Sequence, residues 1–191
     1  APVNVMVTLA FFRFFRDNYL DWFKKEIGNR PLLSPDIFKH RIFPLLDKGN
    51  KVFMLVVDNL RFDQWRVLSN VFNDFYRTES EELYYGIIPT ATMYARNAMF
   101  AGLMPSEIEK LYPEYWLDDD NEGYKNNFEE ELLRKQLTRY GRKEKLYFEK
   151  VSGMRLERRI SDNVKQIIDS DLSVMVFNFV DMISHARTEM E

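Results

Sequence analysis

The sequence predicts an α/β fold in which a layered, mostly parallel sheet is flanked by helices and preceded by a short helical segment. Apolar, β-branched-rich runs of strand length lie at Val52–Val57 and Leu172–Val180. Such runs are typical of strands that are buried on both faces. Segments with helical periodicity separate the strand-like runs, and this alternation indicates a parallel sheet.

The segment before the first strand predicts helices only. Phe11–Ile27 carries aromatic residues at spacings of three and four with charged residues largely between them, which predicts an amphipathic helix that ends at Gly28. The aromatic stripe of this helix is interpreted as a helix-packing or dimer face. A second, short helix is expected to have Ser34 as its N-cap and Pro35 in its first turn, and to end at Pro44.

The turn at residues 47–50, DKGN, is the best internal boundary in the chain. We therefore interpret residues 1–48 as a helical linker or subdomain and residues 49–191 as the α/β domain. The last segment, His185–Glu191, resembles the opening of a helix. We expect the sequence to be the N-terminal part of the domain within a longer polypeptide, with the C-terminal part of the domain missing from it.

The other elements follow in order along the chain. We expect helices at Asp63–Phe75, Thr92–Ala101, Phe128–Tyr140 and Arg158–Asp169, a short helix capped by Ser106, and strands at Glu82–Ile88 and Lys145–Val151. The run DDDNEGY at residues 118–124 predicts an acidic surface loop.

The composition is that of a globular protein, and it limits the chemistry. The formal net charge of −3 argues against broad nucleic-acid binding, which needs a basic field, although it leaves a nucleotide substrate open. There is no cysteine and there are two histidines, so any metal must be held by Asp, Glu, His and hydroxyl groups. The absence of cysteine fits a cytoplasmic protein, and no segment is long enough to predict a transmembrane helix.

Three separated segments carry candidate chemistry. Asp58 ends the first strand, and open α/β sheets bind ligands outside the carboxyl ends of their strands. Asp181 follows another strand and precedes His185 by four residues, so these segments suggest a metal-dependent site. Thr92 stands where a helix should begin, and unpaired N–H groups make that position an anion site. Considered alone, however, this segment is better interpreted as Thr90 or Thr92 capping the helix.

Taken together and in this order, VVDNLRFDQW, PTATMYARNAMFAGLMPSEIEK and NFVDMISHARTEME resemble a PglZ domain of the alkaline phosphatase superfamily. Within that family the chain is most similar to the PglZ domain of PorX-type response regulators, which are linked to type IX secretion. The resemblance runs from about residue 18 to residue 191. It implies an alkaline-phosphatase-like fold and a cytoplasmic, metal-dependent phosphodiesterase that hydrolyses oligonucleotide-type substrates. It also implies an upstream receiver domain and a homodimer.

The resemblance further implies roles for individual residues. Thr92 would be the nucleophile that attacks phosphorus and would share one metal ion with Asp58, while Thr90 supports it. Asp181 and His185 would bind the second of two divalent ions. We expect Zn²⁺, with Mn²⁺ as the alternative, because mixed Asp and His ligation suits both. In this superfamily the remaining ligands come from a later Asp-His pair and a further His, which this sequence does not contain.

Alternatives remain open for two arginines and for the function. Arg61 and Arg96 could contact a phosphate oxygen, because guanidinium matches phosphate geometry, but surface or salt-bridged arginines are an equally good interpretation. A second functional hypothesis is a signalling or protein-interaction output module that regulates type IX secretion and binds a sigma factor or secretion-system component through a phosphatase-like scaffold. A phosphomonoesterase or phosphonate hydrolase would differ from the first hypothesis only in its substrate.

Overall fold

The protein is described from a computed structural model, which defines the backbone of residues 2–116, 127–151 and 156–188. The predicted acidic loop at residues 118–124 lies outside these ranges. The helices of the described residues are α1 (Pro2–Trp22), α2 (Phe43–Asp47), α3 (Phe62–Phe72), α4 (Thr92–Ala101), α5 (Pro105–Leu111), α6 (Glu129–Arg139), α7 (Leu156–Asp169) and α8 (Phe179–Thr188), with 3-10 turns at Ser34–Asp36 and Pro113–Tyr115 and a π-helical turn at Phe38–Ile42.

Three parallel strands form the sheet within the described part of the chain. They are β1 (Val52–Val57), β2 (Leu146–Val151) and β3 (Leu172–Phe177), in the spatial order β1-β3-β2. Val57 and Val151 both pair with Phe177, so the carboxyl ends of the three strands lie level at one edge. The predicted α/β class with a parallel sheet and flanking helices is confirmed.

The main core packs on one face of this sheet. β3 is the central strand and is buried along most of its length, whereas residues of β1 alternate between half-buried and exposed. The core shares side chains from the helical segment before β1, from the strands and from α4 and α6, namely Phe38, Phe43, Leu46, Phe100, Leu132, Leu133, Leu172, Val174 and Val176. The division of the chain at residues 48 and 49 stays a prediction.

A second apolar cluster attaches α1 to the segment that leads into α4. Trp22 is buried with Leu33 and Ile87, and Phe15 and Tyr19 pack against this cluster. The Tyr19 hydroxyl also accepts a hydrogen bond from the backbone N–H of Ile88 at 2.8 Å. One side of the predicted aromatic stripe is therefore a helix-packing face.

The strand predicted at Glu82–Ile88 is wrong. Only an isolated bridge forms there, between Tyr85 and Leu33. The next backbone donors bond to side chains instead of a neighbouring strand, because Ile87 N–H donates to the Ser34 hydroxyl at 3.2 Å and Ile88 N–H to Tyr19. Side-chain acceptors thus replace the ladder that a strand would need.

Several predicted element ends also differ from those observed. α1 begins at Pro2 and ends at Trp22, before the predicted stop at Gly28. Pro44 does not end a helix, since it lies in the first turn of α2, which continues to Asp47. The strand predicted to reach Val180 ends at Phe177, which puts Asp181 in the first turn of α8.

Neither predicted serine cap is observed. Leu33 and Met104 occupy the N-cap positions of the turn at Ser34–Asp36 and of α5. Their backbone N–H groups donate to the carboxylates of Asp36 and Glu107, each at 2.8 Å. These carboxylates form the half of a capping box that does not need a hydroxyl at the N-cap.

The C-terminal end of α4 gives a stability prediction. Gly102 has φ of +61°, and a Cβ there would lie 2.1 Å from Nε2 of the fully buried Gln136. We expect Gly102→Ala to lower the free energy of unfolding by about 2–4 kcal/mol, from backbone strain and overpacking together.

The matched control is Gly141→Ala, because Gly141 has φ of +67° and no atom within 4 Å of its Cβ position. The control should lose about 1–2 kcal/mol from backbone strain alone. Urea unfolding measures the free energy of unfolding of both variants. Equal losses would show that overpacking against Gln136 adds nothing to the backbone strain.

Candidate active site

A cavity of about 290 Å³ opens at the carboxyl edge of the sheet, beside the end of β1. Its walls come from the turn after β1, from the segment before α4 and from α4 itself. Five of the residues predicted for the site line it together, namely Asp58, Arg61, Thr90, Thr92 and Arg96. The cavity lies where open α/β sheets bind their ligands.

Asp58 is fixed by the sheet. It directly follows β1, and its backbone N–H donates to the carbonyl of Phe177 at 2.9 Å, so the ladder to β3 continues past the strand end. Asn59 then adopts φ of +58°, a left-handed conformation that Asn tolerates better than most residues. The chain turns away there, and the Asp58 side chain remains at the edge of the cavity.

Thr92 is the first residue of α4 and faces Asp58. Its Oγ1 donates to Oδ2 of Asp58 at a separation of 3.4 Å. The N-cap residue of α4 is Ala91, and no side chain makes a cap hydrogen bond there. Neither Thr90 nor Thr92 therefore serves as the N-cap, and the Thr92 hydroxyl is directed at the carboxylate.

Arg96 lies one turn further along α4 and is buried, with its side chain 6% exposed. Its Nη1 donates to Oδ2 of Asp58 at 2.8 Å and to Oδ1 of Asn178 at 3.2 Å. Its Nε donates to Oε1 of Glu129. In this structure Arg96 is a salt-bridged arginine that joins the ends of β1 and β3 to the start of α6.

Glu129 is the buried partner of Arg96. Its side chain is 1% exposed, and its second oxygen faces Nζ of Lys150, on β2, at 3.5 Å. Burial raises the pKa of Glu129, and the nearby charges of Arg96 and Lys150 oppose that rise. The two cations thus compensate the charge of a carboxylate that is removed from water.

Arg61 and Thr90 are both exposed at the mouth of the cavity. The Arg61 guanidinium donates to Asp63, with Nη2 at 2.8 Å from Oδ2. This contact raises the pKa of Arg61 and lowers that of Asp63. Because the ion pair is exposed, the Arg61 side chain is available to a ligand in a way that Arg96 is not.

Asp181 and His185 form a second pair of donors, one turn apart on α8. His185 Nε2 lies 3.5 Å from Oδ1 of Asp181, and the His185 side chain is exposed. α8 begins directly after β3, but neither Asp181 nor His185 is among the residues that line the cavity beside Asp58. Among the residues that the structure describes, however, no three His, Cys, Asp or Glu side chains converge in an arrangement that could hold a metal ion.

The donor chemistry of both pairs fits a divalent ion, but each pair is incomplete. Asp58 with Thr92 provides two oxygen donors, and Asp181 with His185 provides one carboxylate and one imidazole. Catalytic zinc ions have about three protein ligands and an open position. Each pair would therefore need at least one further ligand from outside the described residues.

Asn178 and Glu129 were not among the residues predicted for the site from the sequence. Asn178 follows β3 as Asp58 follows β1, so its place at the strand end was a usable signal. Glu129 begins a run of three glutamates at the start of α6, and the sequence does not distinguish it from Glu130 and Glu131. Only the tertiary structure separates the buried member of this run from the others.

Comparison with known families gives one match. The model of the BREX system PglZ alkaline phosphatase-like domain matches residues 37–191. No curated protein matches the chain. In the part of the chain that the structure describes, no helix combines the length and apolar character that crossing a lipid bilayer requires.

The buried ion pair gives a second stability prediction. Arg96→Met would leave the Glu129 carboxylate buried without its main partner, and we expect a loss of about 3–5 kcal/mol in the free energy of unfolding. Arg134→Met is the matched control, since Arg134 pairs with Glu130 on the exposed surface of α6 and should lose less than about 1 kcal/mol. Urea denaturation measures the free energy of unfolding of both variants. Similar losses would show that the buried Glu129 carboxylate does not need Arg96 to compensate its charge.

Proposed function

This chain belongs to the family of PglZ alkaline phosphatase-like domains, which suggests a phosphoesterase-type hydrolase, and we propose that it cleaves phosphodiesters with Thr92 as its nucleophile. The observation that carries the proposal is the 3.4 Å contact between the Thr92 hydroxyl and the Asp58 carboxylate, at the wall of the strand-end cavity. A threonine hydroxyl is a weak nucleophile unless a neighbouring group activates it.

The reaction would use the geometry of Thr92 as follows. Oγ1 attacks phosphorus, an O–P bond forms, and the leaving group departs as an alkoxide with the electron pair of the broken P–O bond and takes a proton from water. The hydroxyl proton is directed at Oδ2 of Asp58, so the carboxylate is the nearest acceptor for it. Water then hydrolyses the phosphothreonine and restores the hydroxyl.

Two features of the cavity would favour an anionic substrate. Thr92 is the first residue of α4, a helix of ten residues, so the positive end of the helix dipole lies beside the cavity that Thr92 lines. Arg61 at the cavity mouth adds a positive charge that its exposed pair with Asp63 only partly offsets. We propose that Arg61 and Thr90 contact the bound phosphate, whereas Arg96 remains in the wall.

The proposed site includes two divalent metal ions. Asp58 and Thr92 would hold one, and Asp181 and His185 the other, with Zn²⁺ as the expected ion and Mn²⁺ as the alternative. Such ions stabilise the charge that develops on the attacking and leaving oxygens in phosphoryl transfer. The residues of this chain would supply the Thr92 nucleophile, the Asp58 carboxylate that accepts its proton, and the orientation of both.

The biological setting proposed here rests on the sequence resemblance. NFVDMISHARTEME and the other two motifs favour the PglZ domain of a PorX-type response regulator. We therefore propose a cytoplasmic, homodimeric protein with a receiver domain upstream, linked to type IX secretion and acting on oligonucleotide-type phosphodiesters.

A second candidate function is a protein-interaction output module. Exposed apolar side chains favour it, since Phe62, Val67 and Val71 on α3 are 52%, 71% and 60% exposed. Isolated apolar residues on a surface are ordinary, but several on one element indicate a surface that can be covered. A sigma factor or a secretion-system component would be the partner, and a protein that binds one while hydrolysing no phosphodiester would favour this second function.

Substitution of the nucleophile is the direct test of the first function. We expect Thr92→Val to lower kcat for a bis-aryl phosphate by about 1000-fold or more in the full-length protein with added Zn²⁺, because no hydroxyl remains to attack phosphorus. Thr92→Ser should retain measurable activity. Thr138→Val is the matched control, since Thr138 only donates to the Arg134 carbonyl on the exposed side of α6. A rate in Thr92→Val equal to that of this control would refute the assignment.

The two histidines allow a matched test of metal binding. His185→Ala should weaken Zn²⁺ binding by about tenfold or more in isothermal titration calorimetry, because an imidazole ligand is lost. His40→Ala, in the π-helical turn before α2, should leave Zn²⁺ affinity unchanged. Equal affinities in the two variants would exclude His185 as a ligand.

A further inference from the structure

We propose that Glu129 is a positioning residue of this site, which acts through Arg96 to hold the Asp58 carboxylate beside Thr92. The inference rests on the proposed function, because the arrangement it explains is the Asp58–Thr92 contact.

One oxygen of Asp58 makes both contacts. Oδ2 accepts from Arg96 Nη1 at 2.8 Å and lies 3.4 Å from Oγ1 of Thr92. A shift of the guanidinium would therefore move the same carboxylate oxygen relative to the hydroxyl. The position of Arg96 therefore sets where Asp58 Oδ2, the proposed proton acceptor, lies relative to Thr92 Oγ1.

Glu129 determines where that guanidinium points. It accepts from Nε, while Nη1 reaches Asp58 and Asn178. Because the guanidinium is planar and rigid, fixing Nε on Glu129 also fixes the direction of Nη1. Glu129 is itself 1% exposed and packed at the start of α6, and Nζ of Lys150 lies 3.5 Å from its second oxygen, so its surroundings restrict where the carboxylate can lie.

The charges of these groups explain why a carboxylate is needed at this position. Arg96 carries one positive charge and contacts two carboxylates, those of Asp58 and Glu129. With Glu129 neutral, the guanidinium would be drawn more strongly to Asp58 alone. Asp58 would then be less available to a cation, and its oxygen would move away from the position that Thr92 requires.

The alternative role for Arg96 is direct contact with the substrate, and the two roles predict different kinetics. Arg96 has its side chain 6% exposed, and its Nε and Nη1 are already engaged. A positioning pair should change kcat and leave KM unaltered, whereas loss of a substrate contact made in the ground state should raise KM. A pair that serves stability only should change neither parameter in the folded protein.

The test compares Glu129→Gln with Glu130→Gln in the full-length protein, with a bis-aryl phosphate and added Zn²⁺. Gln keeps an acceptor for Arg96 Nε but removes the charge, and we expect kcat to fall about tenfold with KM unchanged. Glu130 is the next residue of the same helix and pairs with Arg134 on the surface, so Glu130→Gln should match the wild type. Glu129→Asp, with its charge retained, should lose less activity and serves if the Gln variant does not fold.

A double-mutant cycle tests whether Glu129 acts through Arg96. The Arg96→Lys background lacks the planar guanidinium that links Glu129 to Asp58. In that background Glu129→Gln should change kcat by less than about twofold. The same tenfold loss in both backgrounds would overturn the proposal, as would a kcat equal to that of Glu130→Gln. A raised KM at unchanged kcat would instead make Arg96 a substrate contact and would also overturn it.

Zn²⁺ affinity separates failure of this inference from failure of the proposed function. If the wild type hydrolyses nothing, the proposed function fails, and calorimetric titration with Zn²⁺ then tests whether Glu129 acts on Asp58 through Arg96. Weaker Zn²⁺ binding in Glu129→Gln only when Arg96 is present supports that role of Glu129. Equal weakening in both backgrounds overturns it. A wild type that neither hydrolyses the substrate nor binds Zn²⁺ overturns both.

Discussion

The arrangement of the site depends on the buried guanidinium of Arg96. Its side chain contacts the residue after β1, the residue after β3 and the first turn of α6. A buried ion pair is not by itself a gain in stability, because removing charges from water offsets much of their attraction. Its value here is geometric, since it fixes the carboxylate that faces Thr92.

The fold produces this site through the register of its parallel strands. Val57 pairs with Phe177, so Asp58 and Asn178 follow at adjacent points of one edge. α4 packs against the turn at Ser34–Asp36 and against α6, which places its first residue, Thr92, and its buried Arg96 on that edge. α1 packs through Trp22 and Tyr19 onto the chain just before Thr90. The helical segment at the start of the chain therefore supports the approach to the proposed nucleophile.

The sequence predicted those features that depend on local pattern. The strand at Val52–Val57 and the helix at Thr92–Ala101 agree with the structure at both ends, because each has a clear apolar period and a definite boundary. The strand at Glu82–Ile88 was wrong, since its backbone donors go to Ser34 and Tyr19, which are distant in sequence. Glu129 was missed for the same reason, as its role comes from contacts with Arg96 and Lys150 and not from its neighbours. Whether Asp58 and Asp181 share a pair of metal ions stays a prediction.

A crystal structure of the full-length protein with Zn²⁺ and vanadate, an analogue of the transferred phosphoryl group, would show whether Arg96 holds Asp58 beside a nucleophilic Thr92. We expect vanadate on Thr92 Oγ1, Zn²⁺ on Asp58, and an intact contact between Arg96 and Glu129. Vanadate and Zn²⁺ bound elsewhere, with Asp58 in contact only with Arg96, would contradict the proposed site.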